Sequence, residues 1–595
     1  MPFPRFRFGG STKDETHIAT SSTIHDTELS DGGLKYVVEQ GENDSPPSYQ
    51  EAAGAPVEVK SPFGYAVGPV TIVFLNLSKM VGTGVFSTPS AILSGTGSVG
   101  LSMIWWLIGY LIAISSLAVY LEYASYFPNR SGSEVVYLEQ AYPRPRYLFP
   151  IAFAVQTVIL SFSSGNAIVL ARYLFAINGH TPTNWETKGV AIAGYTVATL
   201  LLVFHTRFSY RLSNGIGIVK LLTLIFIAIT GWVVLGGHTK VKDPNVNFRN
   251  AFAGQATAYG ATNAMYKIIF SYAGYENAFN VVNEVKNPVK KLRFNSYLAL
   301  TVVAILYVLA NVAYFAAVPI TELKAAKEIS ASLFFRHALG SSGAVKGLNF
   351  LIALSAFGNL VAVLIGQSRM IRECGRQGAL PFPRFWASTK PLGTPLGPYF
   401  FKWILTIIMI IAPPAGDAFN FIVDLQVYPR SLFDLSLAVG IFIIRRRRNR
   451  LNIPRSEFRA YDVLVIFSIV TNTFLLVMPW YPPAKGKYGG DVSFWYATYV
   501  VTGIGILAIC GIYYIAWIYL IPKFRGYRIR QEVINLENGA TTHTLIKVPL
   551  EQLDGWDATH DALGRRLGAG GHSNSGSDAK AELGQDILVE SPRKA

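Results

Sequence analysis

Chemistry in this chain has to be sought inside its apolar stretches. The segment Asn76-Leu-Ser-Lys-Met-Val-Gly-Thr-Gly-Val-Phe-Ser-Thr-Pro89 sets Gly82 and Gly84 around Thr83, with Lys79 one turn before and Pro89 after. Two glycines and a proline make a helix easy to unwind at that point. Unwound backbone at membrane depth is tolerated only where it lines a protein-enclosed cavity. The N–H groups freed at the start of the second half-helix then suit a carboxylate, aided by the helix dipole. The competing reading is a seam of small residues where two helices pack. A second segment, Phe270-Ser-Tyr-Ala-Gly-Tyr-Glu-Asn277, again permits unwinding at Ala273 and Gly274, with Glu276 close by. Lys220, in the run Gly-Ile-Val-Lys-Leu-Leu-Thr-Leu, is an ionisable group inside an apolar helix. Insertion scales put the cost of such a residue at about 2.5–3.5 kcal/mol, so it is a functional candidate unless it snorkels to the interface. Lys79, Glu276 and Glu122 are further protonatable groups, with structural pairing as the alternative.

These groups need helices that cross a membrane to hold them. The 595 residues are 51% hydrophobic and 15% charged, against about 25% charged in an ordinary soluble protein. A transmembrane helix needs about 20 mostly apolar residues. By that measure the sequence predicts twelve spans: 66–94, 99–126, 147–176, 188–204, 214–236, 264–283, 296–318, 343–371, 399–413, 418–444, 462–480 and 494–521. Continuous apolar runs, without period-2 alternation, exclude a barrel and predict an all-α integral membrane protein. The two breakable segments fall in spans one and six. Interrupted helices at corresponding positions of two five-helix halves point to an inverted-repeat transporter. The chain then divides into a disordered N-tail (1–64), a membrane domain (65–522) and a largely disordered C-tail (523–595).

The net charge of +16 invites a nucleic-acid partner until it is located. Residues 1–64 hold five Lys/Arg and ten Asp/Glu, and residues 523–595 hold ten of each. The middle therefore carries 37 basic and 16 acidic residues. With the N-tail in the cytosol, the inner loops outweigh the outer ones in Lys/Arg by more than two to one, largely through Lys286 to Arg293 and Arg445 to Arg448. The charge encodes topology and contact with anionic lipid, and both termini are expected in the cytosol. No phosphate-loop motif, metal-spaced His/Cys cluster or nucleophile motif is present, so the sequence predicts no enzyme, no metal and no cofactor.

Three stretches carry a family resemblance. MVGTGVFSTP (80–89), FSYAGYENAFNVVNEVKNP (270–288) and LEYASYFPNRSGSEVVYLEQAY (121–142) resemble elements of amino acid–polyamine–organocation permeases of the L-type branch, closest to the fungal high-affinity methionine permeases. The resemblance covers roughly residues 65–525. It implies a LeuT-like core of five plus five helices with two more, and discontinuous helices 1 and 6. It also implies that a substrate carboxylate meets the backbone N–H groups of Gly82, Thr83 and Gly84. The α-ammonium would meet the carbonyls of Met80, Phe270 and Ala273, and Phe270, Tyr272 and Tyr275 would wall the side chain or remain ordinary aromatic core. Lys220 matches a lysine that related permeases hold where sodium-coupled relatives bind a cation. The implied function is plasma-membrane import of methionine by proton symport. The rivals are a permease for another neutral amino acid or thiol compound, and a non-transporting sensor.

Two expectations concern partners. Pro46-Pro47-Ser48-Tyr49 is a Pro-Pro-x-Tyr segment able to dock a WW domain of a ubiquitin ligase or its adaptor, with Lys35 and Lys60 nearby. Heavy-chain-linked relatives have a cysteine in the third-to-fourth outer loop. Residues 177–187 contain none, so no disulfide-linked heavy chain is expected.

Overall fold

The computed structural model describes Phe63 and residues 65–560, apart from 128–131, 144, 146, 205, 326–329, 341, 413–417, 451–455 and 536–540. The WW-docking motif at Pro46, Pro47 and Tyr49 lies outside these residues. Among them, ten helices are long and apolar enough to cross a membrane. Two of the twelve expected spans are shorter than that. The ninth is a helix of 16 residues, Leu396–Ile411, and the sixth stops being α-helical after Tyr272. A breakable Ala-Gly step in the middle of an apolar run divides it into pieces that are each too short.

The chain begins with α1 (Pro69–Met80), leaves helical geometry at residues 81–83, and continues through α2 (Gly84–Ser87) and α3 (Pro89–Thr96). Pro89 stands at the first position of α3, where its missing N–H costs nothing. Next come α4 (Val99–Tyr126) and α5 (Glu134–Ala141). A second interruption at residues 160–163 separates α6 (Leu148–Ile159) from α7 (Ser164–Ile177). Then follow α8 (Asn184–Phe204), α9 (Thr206–Leu235) and α10 (Ala258–Tyr272). After Gly274 a 3₁₀ stretch spans Asn277–Glu284. The longer helices that follow are α11 (Pro288–Ala317), α12 (Ser342–Arg376), α13 (Leu396–Ile411), α14 (Ala418–Arg450), α15 (Asp462–Val477) and α16 (Thr498–Ile515).

Packing divides the helices by role. α1 is wrapped by α9, α11 and α12, and most of its side chains are buried. α16 faces outward and exposes Ile504, Ile509 and Ile512; α9 does the same with Ile218, Leu222, Phe226 and Ile229. An exposed apolar belt around a buried polar interior is the arrangement a lipid environment selects.

The C-terminal segment corrects one expectation, an all-α chain. Strands β1 (Tyr527–Asn535) and β2 (Thr541–Pro549) form an antiparallel hairpin, with Tyr527 opposite Pro549 and Asn535 opposite Thr541. The hairpin is followed by a short helix, Leu553–Thr559, tied back by Arg530, whose Nε and Nη2 lie 2.8 and 2.7 Å from the Asp557 carboxylate oxygens. β-branched residues in both strands support an extended backbone, and an even charge balance says nothing against it. The low-complexity residues 564–582 lie outside the described residues.

Candidate functional site

The first break is held open by contacts from α7, α9, α11 and α12. Val81 donates to Leu77 O at the end of α1, and the Gly82 amide turns back onto Met80 O at 2.7 Å. The amides of Thr83 and Gly84 meet no acceptor among the described residues. Thr83 Oγ1 is fixed by Asn166 Oδ1 of α7 at 2.6 Å. From α12, Asn359 Nδ2 donates to Lys79 O and Ser355 Oγ to Val81 O at 3.3 Å. From α9, Lys220 Nζ donates to Ser78 O and Val81 O, each at 2.7 Å. Lys220 is buried and does not snorkel. Its ammonium supplies the donors that the last carbonyls of α1 lose where the helix stops, and a cation suits that end of the dipole.

The second break is pressed against the first. Gly274 has φ +139°, and a Cβ there would stand 2.7 Å from Met80 N and 2.9 Å from the Lys79 carbonyl carbon. Gly84 is equally confined, since a Cβ would stand 2.8 Å from Ser271 Cα. Only glycine allows the two backbones to meet this closely. Gly274→Ala is therefore expected to destabilise the fold by about 1–3 kcal/mol, measured as earlier thermal unfolding of the detergent-solubilised protein. Wild-type stability in that variant would mean the backbones need not touch.

Tyr307 of α11 joins the breaks. Its hydroxyl lies 2.7 Å from Met80 O and 3.0 Å from Ser271 O, and its ring packs edge-on against Trp106. A phenol has one proton, so Tyr307 donates to only one of these carbonyls at a time.

Around the breaks lies a cavity of about 200 Å³. It is lined by Met80, Gly82, Thr83, Gly84, Phe270, Tyr272, Ala273 and Tyr275, and also by Lys79 and Glu276. The structure thus brings ten of the twelve site residues proposed for the membrane domain to one place. Lys220 stands behind the first break, and Glu122 is elsewhere. Glu122 accepts from Arg445 Nε and Nη2 at 2.7 and 2.6 Å, from Tyr126 Oη at 2.6 Å and from the Ala460 amide at 2.8 Å. Four donors on one buried carboxylate make an anchor between α4, α14 and the segment that leads into α15.

At one end of the cavity the charges form a network. Lys79 Nζ is 2.8 Å from Glu276 Oε1, and Arg430 Nη2 is 2.9 Å from the same oxygen. Arg430 also reaches Asp434 at 3.4 Å and Glu134 at 3.6 Å, and Tyr120 Oη donates to Glu134 at 2.6 Å. Local spacing would pair Arg430 with Asp434 at i, i+4, yet its shortest contact is with Glu276, 154 residues away in the chain. Nothing in local spacing signals that contact.

Further cavity-lining polar residues were not anticipated: Asn166, Asn359, Gln367 and Gln426. Two more ionisable groups sit in apolar helices, Lys267 and Lys402, both fully buried. The rule that singles out Lys220 applies equally to them, so they were legible.

The fold and the cavity together define a multi-pass membrane protein with a partly polar compartment bounded by interrupted helices. Residues 67–507 match the amino acid permease family, and the chain belongs to it. It is 34% identical to the high-affinity methionine permease of Saccharomyces cerevisiae over 501 residues, covering 84% of this chain and 87% of that protein. It is 26% identical to the low-affinity methionine permease of the same yeast, over 82% and 89% of the two chains. The b(0,+)-type amino acid transporter 1 of Mus musculus is 27% identical over 69% of this chain and 82% of its own length.

Proposed function

We propose that this protein imports methionine, with other neutral amino acids next, across the plasma membrane by proton symport and alternating access. The observation that carries the reading is the meeting of both breaks on one cavity, with the Thr83 and Gly84 amides unclaimed beside the carbonyls at which the two helices stop. Unclaimed N–H groups suit a carboxylate and freed carbonyls suit an ammonium, so the pair reads the common part of an α-amino acid. The preference for methionine rests on the similarity to the two yeast methionine permeases.

In this reading the chain crosses twelve times, as two inverted five-helix repeats plus two helices. Helices 1 and 6 are discontinuous, and both termini lie in the cytosol. Gly82 acts by its small size, its amide being engaged by Met80 O, while Thr83 and Gly84 hold the carboxylate. Met80, Phe270 and Ala273 offer carbonyls to the ammonium. Lys220 is the coupling group, and Lys79 with Glu276 belongs to the charged end of the pathway. Pro46, Pro47 and Tyr49 recruit a WW-domain ubiquitin ligase or its adaptor.

Purified protein in proteoliposomes tests the reading. Radiolabelled methionine should accumulate when the outside is acidic, collapse when a protonophore is added, and be displaced by unlabelled neutral amino acids. Methionine binding without accumulation would make the protein a sensor. Accumulation indifferent to the protonophore would remove proton coupling.

A further inference from the structure

A third interruption of the backbone, at residues 160–163 between α6 and α7, is capped by side chains from elsewhere. Gln426 Nε2 of α14 donates to Phe162 O at 2.9 Å, and Thr406 Oγ1 of α13 accepts from the Ser163 amide at 3.1 Å. Lys402 of α13 bonds Ser161 O and Gln367 Oε1, and stands 3.2 Å from Ser163 Oγ. These three oxygens match the three N–H bonds of an ammonium.

Lys402 is fully buried, and no carboxylate among the described residues pairs with it. In this it differs from Lys79 and Lys267, each held by a carboxylate within 3 Å. It does not line the cavity, but Ser163 and Gln367 do, so its nitrogen lies one hydrogen bond behind the wall. Protonated, Lys402 sets behind the wall a positive charge with no carboxylate beside it, and in a low dielectric such a charge acts strongly on any charge placed before it. It repels a cationic side chain and leaves a neutral one alone. Discrimination of this kind works by a built-in repulsive element rather than by extra contacts.

We infer that Lys402 is a specificity-determining residue: its ammonium, carried to the cavity wall by Gln367 and Ser163, excludes amino acids with cationic side chains. The same nitrogen positions the 160–163 break, and with it Phe162 and Ser163. This rests on the reading that the cavity takes an α-amino acid, and it goes beyond that reading by naming the charge class rejected.

The experiment compares lysine with norleucine, its uncharged counterpart lacking only the terminal amine, as competitors of methionine uptake in proteoliposomes. In the wild type, norleucine should compete and lysine should not. Lys402→Met removes the charge, and Gln367→Glu neutralises it from the cavity side. Each should improve the inhibition constant of lysine relative to norleucine at least tenfold. Lys402→Arg keeps the charge and should keep the exclusion. Gln367→Glu leaves the 160–163 break intact, so it carries the test if Lys402→Met does not fold. An unchanged lysine-to-norleucine ratio in a variant that still transports methionine overturns the assignment, as does a ratio relaxed equally in Lys402→Arg. Failure of the wild type to take up methionine or norleucine would instead overturn the amino-acid reading of the cavity.

Discussion

Lys220→Met should reduce substrate uptake about 100-fold or more while leaving a folded protein at normal abundance. The side chains are similar in length, and what is lost is an ammonium donating to Ser78 O and Val81 O at 2.7 Å each. A hydrogen bond from a charged donor contributes about 1.5–3 kcal/mol, so losing two costs on the order of 3 kcal/mol at the least. Spent on the geometry of the first break, that is about a hundredfold in a rate or binding constant. Lys220→Arg separates the two roles of the charge. A guanidinium keeps the charge but cannot release its proton in a protein. If Lys220 carries the coupled proton, residual uptake by the arginine variant should be flat from about pH 5 to pH 8, where the wild type varies. Wild-type pH dependence in both variants would remove Lys220 from coupling and leave it only a cap for α1.

The contrast between Lys220 and Glu122 shows what sequence can say about a buried charge. Both stand in apolar helices, and both are expensive for the same reason. The sequence identifies the expense but not the partner, because the partner is set by packing. Lys220 meets carbonyls of α1, 142 and 139 residues away. Glu122 meets Arg445 and the Ala460 amide, 323 and 338 residues away. One arrangement sits against the cavity and the other anchors three helices, and no local pattern separates them. The breaks were legible because glycine and proline act on their own backbone. Their mutual contact at Gly274 and Met80 was not, since it depends on how the halves pack.

The hairpin marks a different limit. Asn538-Gly539 lies between β1 and β2 and is the strongest short turn signal a sequence offers. A judgement from bulk composition averages such a dipeptide away. The short ninth helix and the divided sixth follow from length: hydropathy reports how apolar a run is, not where its hydrogen bonding stops.

Asp424→Asn should be the most destabilising single substitution among the charged groups of the membrane domain. Lys267 of α10 is fully buried, with Nζ 2.6 Å from Asp424 Oδ1 and 3.4 Å from Asp491 Oδ2. Asp424 is itself buried, and Asp491 belongs to the segment between α15 and α16. That segment is held in place by Tyr259 Oη, 3.2 Å from Asp491 Oδ1, and by Asn420 Nδ2, 3.3 Å from Asp491 O. Removing one partner of a buried pair costs about 3–5 kcal/mol, because the other charge stays in low dielectric without its partner. The nearby Asp491 recovers part of this, since it already faces Lys267. Asp491→Asn alone should therefore cost much less, and Asp424→Asn with Asp491→Asn more than the sum of the two. Removing both charges, as Lys267→Met with Asp424→Asn, takes away the unpaired group, so the double variant should be more stable than Asp424→Asn alone. Thermal unfolding of detergent-solubilised protein, followed as loss of the monodisperse species, measures all four. Equal stability of Asp424→Asn and wild type would mean that Lys267 sheds its charge or finds water. A double variant no better than the single one would mean that Asp424 supports the fold through contacts other than the pair.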